Sequence, residues 1–159
     1  MDIASWVVCA PELFLLISTC VIALVDLGVR TRGRNLTHGL TLLTLLVLAY
    51  VQAQYAMTEG TAYGFGNMVV SDPMGNWLKC FAALAVAVTL IYGRPYAADR
   101  DMLRGGELYS LSLLALLGMF VMISGNNFLV MYLGLELLTL SGYALVALRR
   151  DHEIGRAHV

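Results

Sequence analysis

The segment 108–148 contains a single charged side chain, Glu136, among 41 residues. As one helix, at 1.5 Å per residue, it would be about 61 Å long, roughly twice the ~30 Å hydrocarbon core of a bilayer. The segment must therefore fold back on itself. The break is predicted at Gly125, Asn126 and Asn127, a helix-stopping glycine followed by turn formers.

The composition identifies the bilayer as the solvent of this chain. Hydrophobic residues make up 59% of it and charged residues 13%, whereas a soluble domain has about 25% charged residues. The net charge of -1 also argues against a nucleic-acid binder, which needs a basic surface. We predict an all-α, polytopic transmembrane protein in contact with lipid, with five helices near 11–30, 36–57, 75–93, 107–124 and 127–148.

Arginine marks the connections that are expected to be cytoplasmic, because such loops carry an excess of positive side chains. Arginines follow the first, third and fifth helices, at Arg30, Arg32, Arg34, Arg94, Arg100, Arg104, Arg149 and Arg150. This distribution predicts an N-terminus outside and a fifth helix that ends in the cytoplasm. Lys79 is the exception, and we expect its long side chain to snorkel to the outer interface.

The second loop carries turn and strand signals. Asp72 followed by Pro73 is typical of an N-cap and the first position of a helix. Before them, the segment 61–70 predicts a short exposed hairpin with the strand formers Tyr63, Phe65, Val69 and Val70.

The three cysteines, Cys9, Cys20 and Cys80, have neither a CxxC spacing nor a metal-ligand spacing. We interpret them as small packing residues. No nucleotide-binding, zinc-hydrolase or serine-hydrolase motif is found in the sequence.

Glu136 is the main candidate for a functional residue, because a charge at the bilayer midplane costs about 2.5–3.5 kcal/mol. Tyr132, Thr139 and Tyr143 fall within about 60° of it on a helix, so the four form a polar stripe whose hydroxyls can bond the carboxyl group. A carboxyl group balanced between burial and a nearby cation can exchange protons near neutral pH. The alternative is a protonated Glu136 that only hydrogen-bonds a neighbouring helix.

Two further acidic residues are interpreted as structural. Glu12 follows Pro11 in the first helical turn, where it complements the helix dipole. Asp26 lies one turn from the cytoplasmic end of the first helix, where it can pair with Arg30 or reach interfacial water.

The sequence resembles the subunit N family of bacterial NADH-quinone oxidoreductase, respiratory complex I. Most of the specificity lies in the block Tyr132-Leu133-Gly134-Leu135-Glu136-Leu137-Leu138-Thr139-Leu140. Further support comes from Pro11-Glu12-Leu13-Phe14-Leu15, Asp26, Asp72-Pro73, Gly105-Gly106-Glu107-Leu108-Tyr109, Leu117-Gly118-Met119, Ser124-Gly125-Asn126-Asn127 and Leu148-Arg149-Arg150-Asp151.

The resemblance implies an antiporter-like subunit in the membrane arm of an enzyme complex of the bacterial inner membrane, with other membrane-arm subunits as partners. It places Glu136 on the family's helix-five glutamate, which pairs with a lysine two helices later and takes part in proton translocation. It also implies that this subunit binds no cofactor, since NADH, FMN, iron–sulfur clusters and quinone belong to the rest of the complex.

The chain departs from this family in lacking the later helices. We expect the native sequence to end near Asp151 or His152, because residues 153–159 match a translated sequencing adapter. Two alternatives remain open at this point. One is a subunit of a multi-subunit cation/proton antiporter, and the other is a structural membrane subunit in which Glu136 only packs.

Overall fold

A computed structural model of the chain describes residues 3–28, 35–58, 60–99 and 106–148. The elements are α1 (Ile3–Val8), α2 (Ala10–Gly28), α3 (Asn35–Thr58), β1 (Ala62–Gly64), β2 (Val69–Ser71), α4 (Pro73–Asp99), α5 (Glu107–Ser124) and α6 (Phe128–Ala147). The predicted non-native tail 153–159 lies outside the described residues.

Helices α2 to α6 are each long and apolar enough to cross a membrane, so the predicted polytopic all-α fold with five spans is confirmed. The largest difference in bounds is in α4, which continues past the predicted residue 93 to Asp99 and contains Pro95. Helix α1 was not predicted, since six residues are too few to establish a helical period.

The core of the bundle lies between α2, α3, α4 and α5. Each of these helices contributes fully buried apolar side chains to it, including Leu15, Leu45, Ala83, Leu113 and Phe120. Helix α6 is attached to this bundle mainly through α5, and only Gly134 and Ser141 of its residues are buried.

The predicted hairpin is present, and β1 pairs antiparallel with β2. The placement of Phe65 in a strand was wrong. Phe65 lies in the turn with φ of 51°, and its ring packs edge-on against Trp6 of α1 at a centroid distance of 5.6 Å. This contact accounts for the difference, because an aromatic ring buried against a neighbouring helix can offset a left-handed backbone.

The hairpin is docked on the turn between α5 and α6. Val69 forms a β-bridge with Gly125, and the backbone N–H of Asn126 donates to the carbonyl of Met68 at 2.9 Å. Asn127 caps α6, since its side-chain oxygen accepts from the N–H of Leu129 at 3.0 Å. The starts of α2, α4 and α6 and the ends of α3 and α5 meet here, and we call this the hairpin end of the bundle.

Helices α5 and α6 touch backbone to backbone. A Cβ atom on Gly118 would lie 2.6 Å from the backbone nitrogen of Leu138, and one on Gly134 would lie 2.7 Å from that of Met122. Glycine permits this approach, which is a common way for membrane helices to associate where burial of apolar surface adds no driving force. We call this contact the glycine seam.

Gly134→Ala should push α6 away from α5, since the new methyl group would meet main-chain atoms that cannot yield. Overpacking of this kind costs about 1–3 kcal/mol. We expect a lower thermal stability of the full-length subunit. It is measured by heating membranes that contain the subunit and then determining how much folded protein can still be solubilised.

Gly142→Ala is the matched control, because nothing lies within 4 Å of a Cβ atom at that position of the same helix. Equal stability of the two alanine variants would contradict the glycine seam.

Candidate functional site

Glu136 lies on the face of α6 that points away from the bundle. At 3.6 residues per turn it is rotated by about 200° from Gly134, so it is nearly opposite the glycine seam. Glu136 and Thr139 are half-buried, whereas Tyr132 and Tyr143 are 57% and 71% exposed. The predicted polar stripe therefore lies together on one open face.

Only part of the stripe interacts with the carboxyl group. Tyr132 lies one turn from Glu136 and interacts with its carboxylate. Thr139 instead donates its hydroxyl to the backbone carbonyl of Glu136 at 3.0 Å, a local bond that side chains of this type commonly make inside helices. Among the described residues, no lysine or arginine forms an ion pair with Glu136.

Lys79 is buried inside the bundle, and the prediction that it snorkels to the outer interface was wrong. Its residue is 1% exposed, and Nζ donates to Oε1 of Glu12 at 2.7 Å. Glu12 does lie in the first turn of α2, as the sequence indicates, but it also supplies the counter-charge for α4. A buried ammonium group needs such a partner, because an unpaired charge in a low-dielectric interior is costly.

Two more side chains complete the surroundings of this ion pair. Ser124, the last residue of α5, donates its hydroxyl to the same Oε1 of Glu12 at 2.6 Å. Nζ of Lys79 also lies 5.7 Å from the ring centroid of Phe120. The ion pair thus joins three helices, α2, α4 and α5, at the hairpin end.

A hydrogen-bonded pair of polar side chains, Ser71 and Asn76, lies just before Lys79 in the sequence. Nδ2 of Asn76 donates to Oγ of Ser71 at 3.1 Å, and both residues are buried. Asn76 precedes Lys79 by three residues, so the two share one face of α4. We call Glu12, Lys79, Ser124, Asn76 and Ser71 the hairpin-end cluster.

Burial, followed by the nearby Glu12 carboxylate, raises the pKa of the Cys9 thiol, whereas Lys79 acts in the opposite direction. Cys9 lies at the junction of α1 and α2, before the first span. The three cysteines differ in environment, since Cys80 is buried, Cys9 is half-buried and Cys20 is exposed.

Asp26 holds the opposite end of the bundle together. It is buried, and its carboxylate accepts from the hydroxyl of Thr37 at 2.8 Å and from the backbone N–H of Gly106 at 2.7 Å. A side chain at position 106 would overlap this carboxylate. The structural interpretation is therefore supported, but through contacts with α3 and the start of α5 that the sequence did not predict. Arg30, the predicted partner, lies outside the described residues.

The coupling between Glu12 and Lys79 can be measured by removing one partner or both. Lys79→Met leaves a buried carboxylate unpaired, which costs about 3–5 kcal/mol for pairs of this kind, whereas the double variant with Glu12→Gln leaves no unpaired charge. We expect the double variant to be more stable than Lys79→Met alone, as measured by the thermal stability of the full-length subunit in membranes.

Glu107→Gln serves as a control for the loss of an acid, because Glu107 is exposed at the start of α5. If the effects of Glu12→Gln and Lys79→Met simply add, the two side chains do not interact in the membrane.

Comparison with known proteins gives a consistent picture. No family model matches the chain. It is similar to proteins named NADH-quinone oxidoreductase subunit N, with 66% identity over 151 residues to that of Polaromonas naphthalenivorans, covering 95% of this chain and 30% of the relative. The proteins of the same name from Herminiimonas arsenicoxydans and Cupriavidus taiwanensis are each 50% identical, over 91% of this chain and 30% and 29% of their own lengths.

The resemblance to subunit N of bacterial NADH-quinone oxidoreductase is thereby confirmed. The chain spans about 30% of the length of the curated relatives it matches.

Proposed function

We propose, from the similarity to subunit N, that the chain is part of a membrane-arm subunit of NADH-quinone oxidoreductase that couples electron transfer from NADH to quinone with proton translocation. In this proposal Glu136 is the proton-carrying residue, and Tyr132 orients its carboxyl group. Thr139 and Tyr143 supply the rest of the polar face along which a proton approaches.

The observation that carries the proposal is the position of Glu136. It is the only charged residue of α6 and lies opposite the glycine seam, on a face that no described residue covers with a cationic side chain. A polar face directed at lipid is costly, so this face requires protein or water against it. The relatives are about three times as long as this chain, and we propose that their further helices cover α6 and provide the lysine that the resemblance implies.

The redox chemistry is assigned to other subunits. We propose that this segment binds none of the NADH, FMN, iron–sulfur clusters or quinone of the complex, and that its partners are the lipid bilayer and the neighbouring membrane-arm subunits. Its contribution is then to hold and move a proton at the carboxyl oxygens of Glu136.

The orientation proposed is that of a bacterial inner-membrane protein with the hairpin end outside. Helices α2 and α4 run away from the hairpin end, so the arginine-rich connections that follow them lie at the cytoplasmic end. Of those arginines, Arg94 lies near the end of α4, and the others lie outside the described residues.

Reporter fusions test this orientation. A fusion after Arg34 or Arg104 should report the cytoplasm, whereas a fusion near Thr61, in the connection between α3 and β1, should report the exterior. A reporter at Thr61 that is active only in the cytoplasm would invert the proposed topology.

Glu136→Gln and Glu136→Asp in the full-length subunit, assembled in its complex, separate proton transfer from packing. Glutamine keeps the shape but removes the titratable proton, while aspartate keeps the proton and shortens the side chain by one methylene group. We expect Glu136→Gln to lose most NADH-driven proton pumping and Glu136→Asp to retain more of it, because only aspartate can still exchange a proton. Proton uptake by inverted vesicles at matched subunit content measures this.

Glu107→Gln is the matched control, because Glu107 is an exposed glutamate of the adjacent helix α5. The complex that carries this substitution should pump protons normally. Pumping by Glu136→Gln equal to that of the unaltered protein, at equal assembly, would remove Glu136 from the mechanism. In that case the purely structural role of Glu136 would be the correct one.

A further inference from the structure

The hairpin-end cluster contains a charged pair that the proposed role of Glu136 does not use. Glu12 is 8% exposed, and both of its described hydrogen bonds are made by one oxygen, Oε1. The other oxygen, Oε2, is buried and has no hydrogen-bond partner among the described residues. A carboxylate oxygen in this situation is costly unless water donates to it or a proton binds to it.

A second buried side chain near this end also lacks partners. Gln52 lies six residues before the end of α3, is fully buried, and has no described hydrogen-bond partner for either amide atom. Buried polar groups without protein partners are the groups that internal water molecules satisfy. The hairpin end of the bundle is therefore suited to hold water between the helices.

Buried polar side chains lie between the ion pair and a surface cavity. The cavity has a volume of about 510 Å³ and is lined by α1, the end of α3 and the hairpin, with Tyr55 and Ser71 among its polar residues. Ser71 is hydrogen-bonded to Asn76, and Asn76 lies one turn before Lys79 on the same face of α4. The order from cavity to core is thus Ser71, Asn76, Lys79 and Glu12.

We propose that Glu12 and Lys79 form a proton-binding site that is hydrated from the hairpin end through this route. A proton from the solution on that side adds to Oε2 and converts the Glu12 carboxylate to a carboxylic acid. Lys79 keeps its own proton, and the site gains one positive charge until the proton returns by the same route.

The surroundings of Lys79 allow this second state. The Phe120 ring centroid lies 5.7 Å from Nζ, so a cation–π contact would offset part of the loss of the Glu12 charge when Glu12 is neutral. Among the described residues, Cys9 before α2 interacts electrostatically with Glu12, and Tyr55 of α3 lines a cavity with Pro11, the residue that precedes Glu12. From α5, the described neighbours of the ion pair are Ser124 and Phe120, and neither titrates.

Cysteine accessibility tests the route in the full-length subunit assembled in its complex, with Cys9, Cys20 and Cys80 replaced by alanine. We expect Ser71→Cys and Asn76→Cys to react with a small, charged methanethiosulfonate reagent added on the hairpin side. Ala83→Cys is the matched control, an equally buried position of α4 one turn beyond Lys79 and among apolar side chains, and it should not react. A rate for Asn76→Cys as low as that for Ala83→Cys would show that no aqueous route open to the reagent reaches Asn76 and would overturn the proposed route.

Infrared difference spectra of the complex, recorded across a pH step, test the proton itself. We expect a carboxylic-acid band that shifts in D₂O, is lost in Glu12→Gln and remains in Glu136→Gln. Replacement of Ser71 by alanine should slow the appearance of the band, since it removes the hydroxyl group that is hydrogen-bonded to Asn76. If Glu12→Gln abolishes no pH-dependent band, Glu12 and Lys79 form a permanent ion pair and the proposal is overturned. The result for Glu136→Gln keeps this outcome distinct from a failure of the proposed function.

Discussion

Hydrocarbon offers no hydrogen-bond partner to a side chain, and the arrangement of this bundle depends on that constraint. Several buried polar groups of α2 to α5 are therefore held by a residue of another helix, as in the pairs of Lys79 with Glu12 and of Asp26 with Thr37. These two clusters lie at opposite ends of the bundle, and the layer between them is mainly apolar. The helices are therefore fastened together near both membrane surfaces, while their middle is packed by leucine, alanine and phenylalanine.

Helix α6 follows the same constraint in a different way. Its polar stripe does not face the bundle, because the side that does contains Gly134 and Ser141 and packs against α5. The consequence is a helix that packs against α5 along one side and carries on the other a carboxyl group that pairs with no basic residue among those described.

The spans, the turn at Gly125 and the hairpin could be predicted because each depends on composition or on a few neighbouring residues. The pairing of Lys79 with Glu12 could not, since the two are 67 residues apart and their contact depends on which helices are neighbours. A usable signal was nevertheless present, because both charges occur near the hairpin end of their helices, where opposite charges in the membrane tend to pair. The conformation of Phe65 had no such signal, as it depends on a tertiary contact with Trp6.

Apart from its polar stripe, helix α6 is apolar around its circumference. Hydrophobicity alone therefore does not determine the rotation of α6 about its own axis. The rotation of α6 about its axis is instead determined by side-chain size, because the small residues Gly134 and Ser141 are the buried positions that pack against α5. The position of Gly134 therefore also sets the direction of the carboxyl group two residues later, on Glu136. A rotation of α6 about its axis by the angle between successive residues, about 100°, would move Glu136 away from the open face. Two small residues, neither of which contacts Glu136 in any described hydrogen bond, thus fix the direction in which the charge of this helix points.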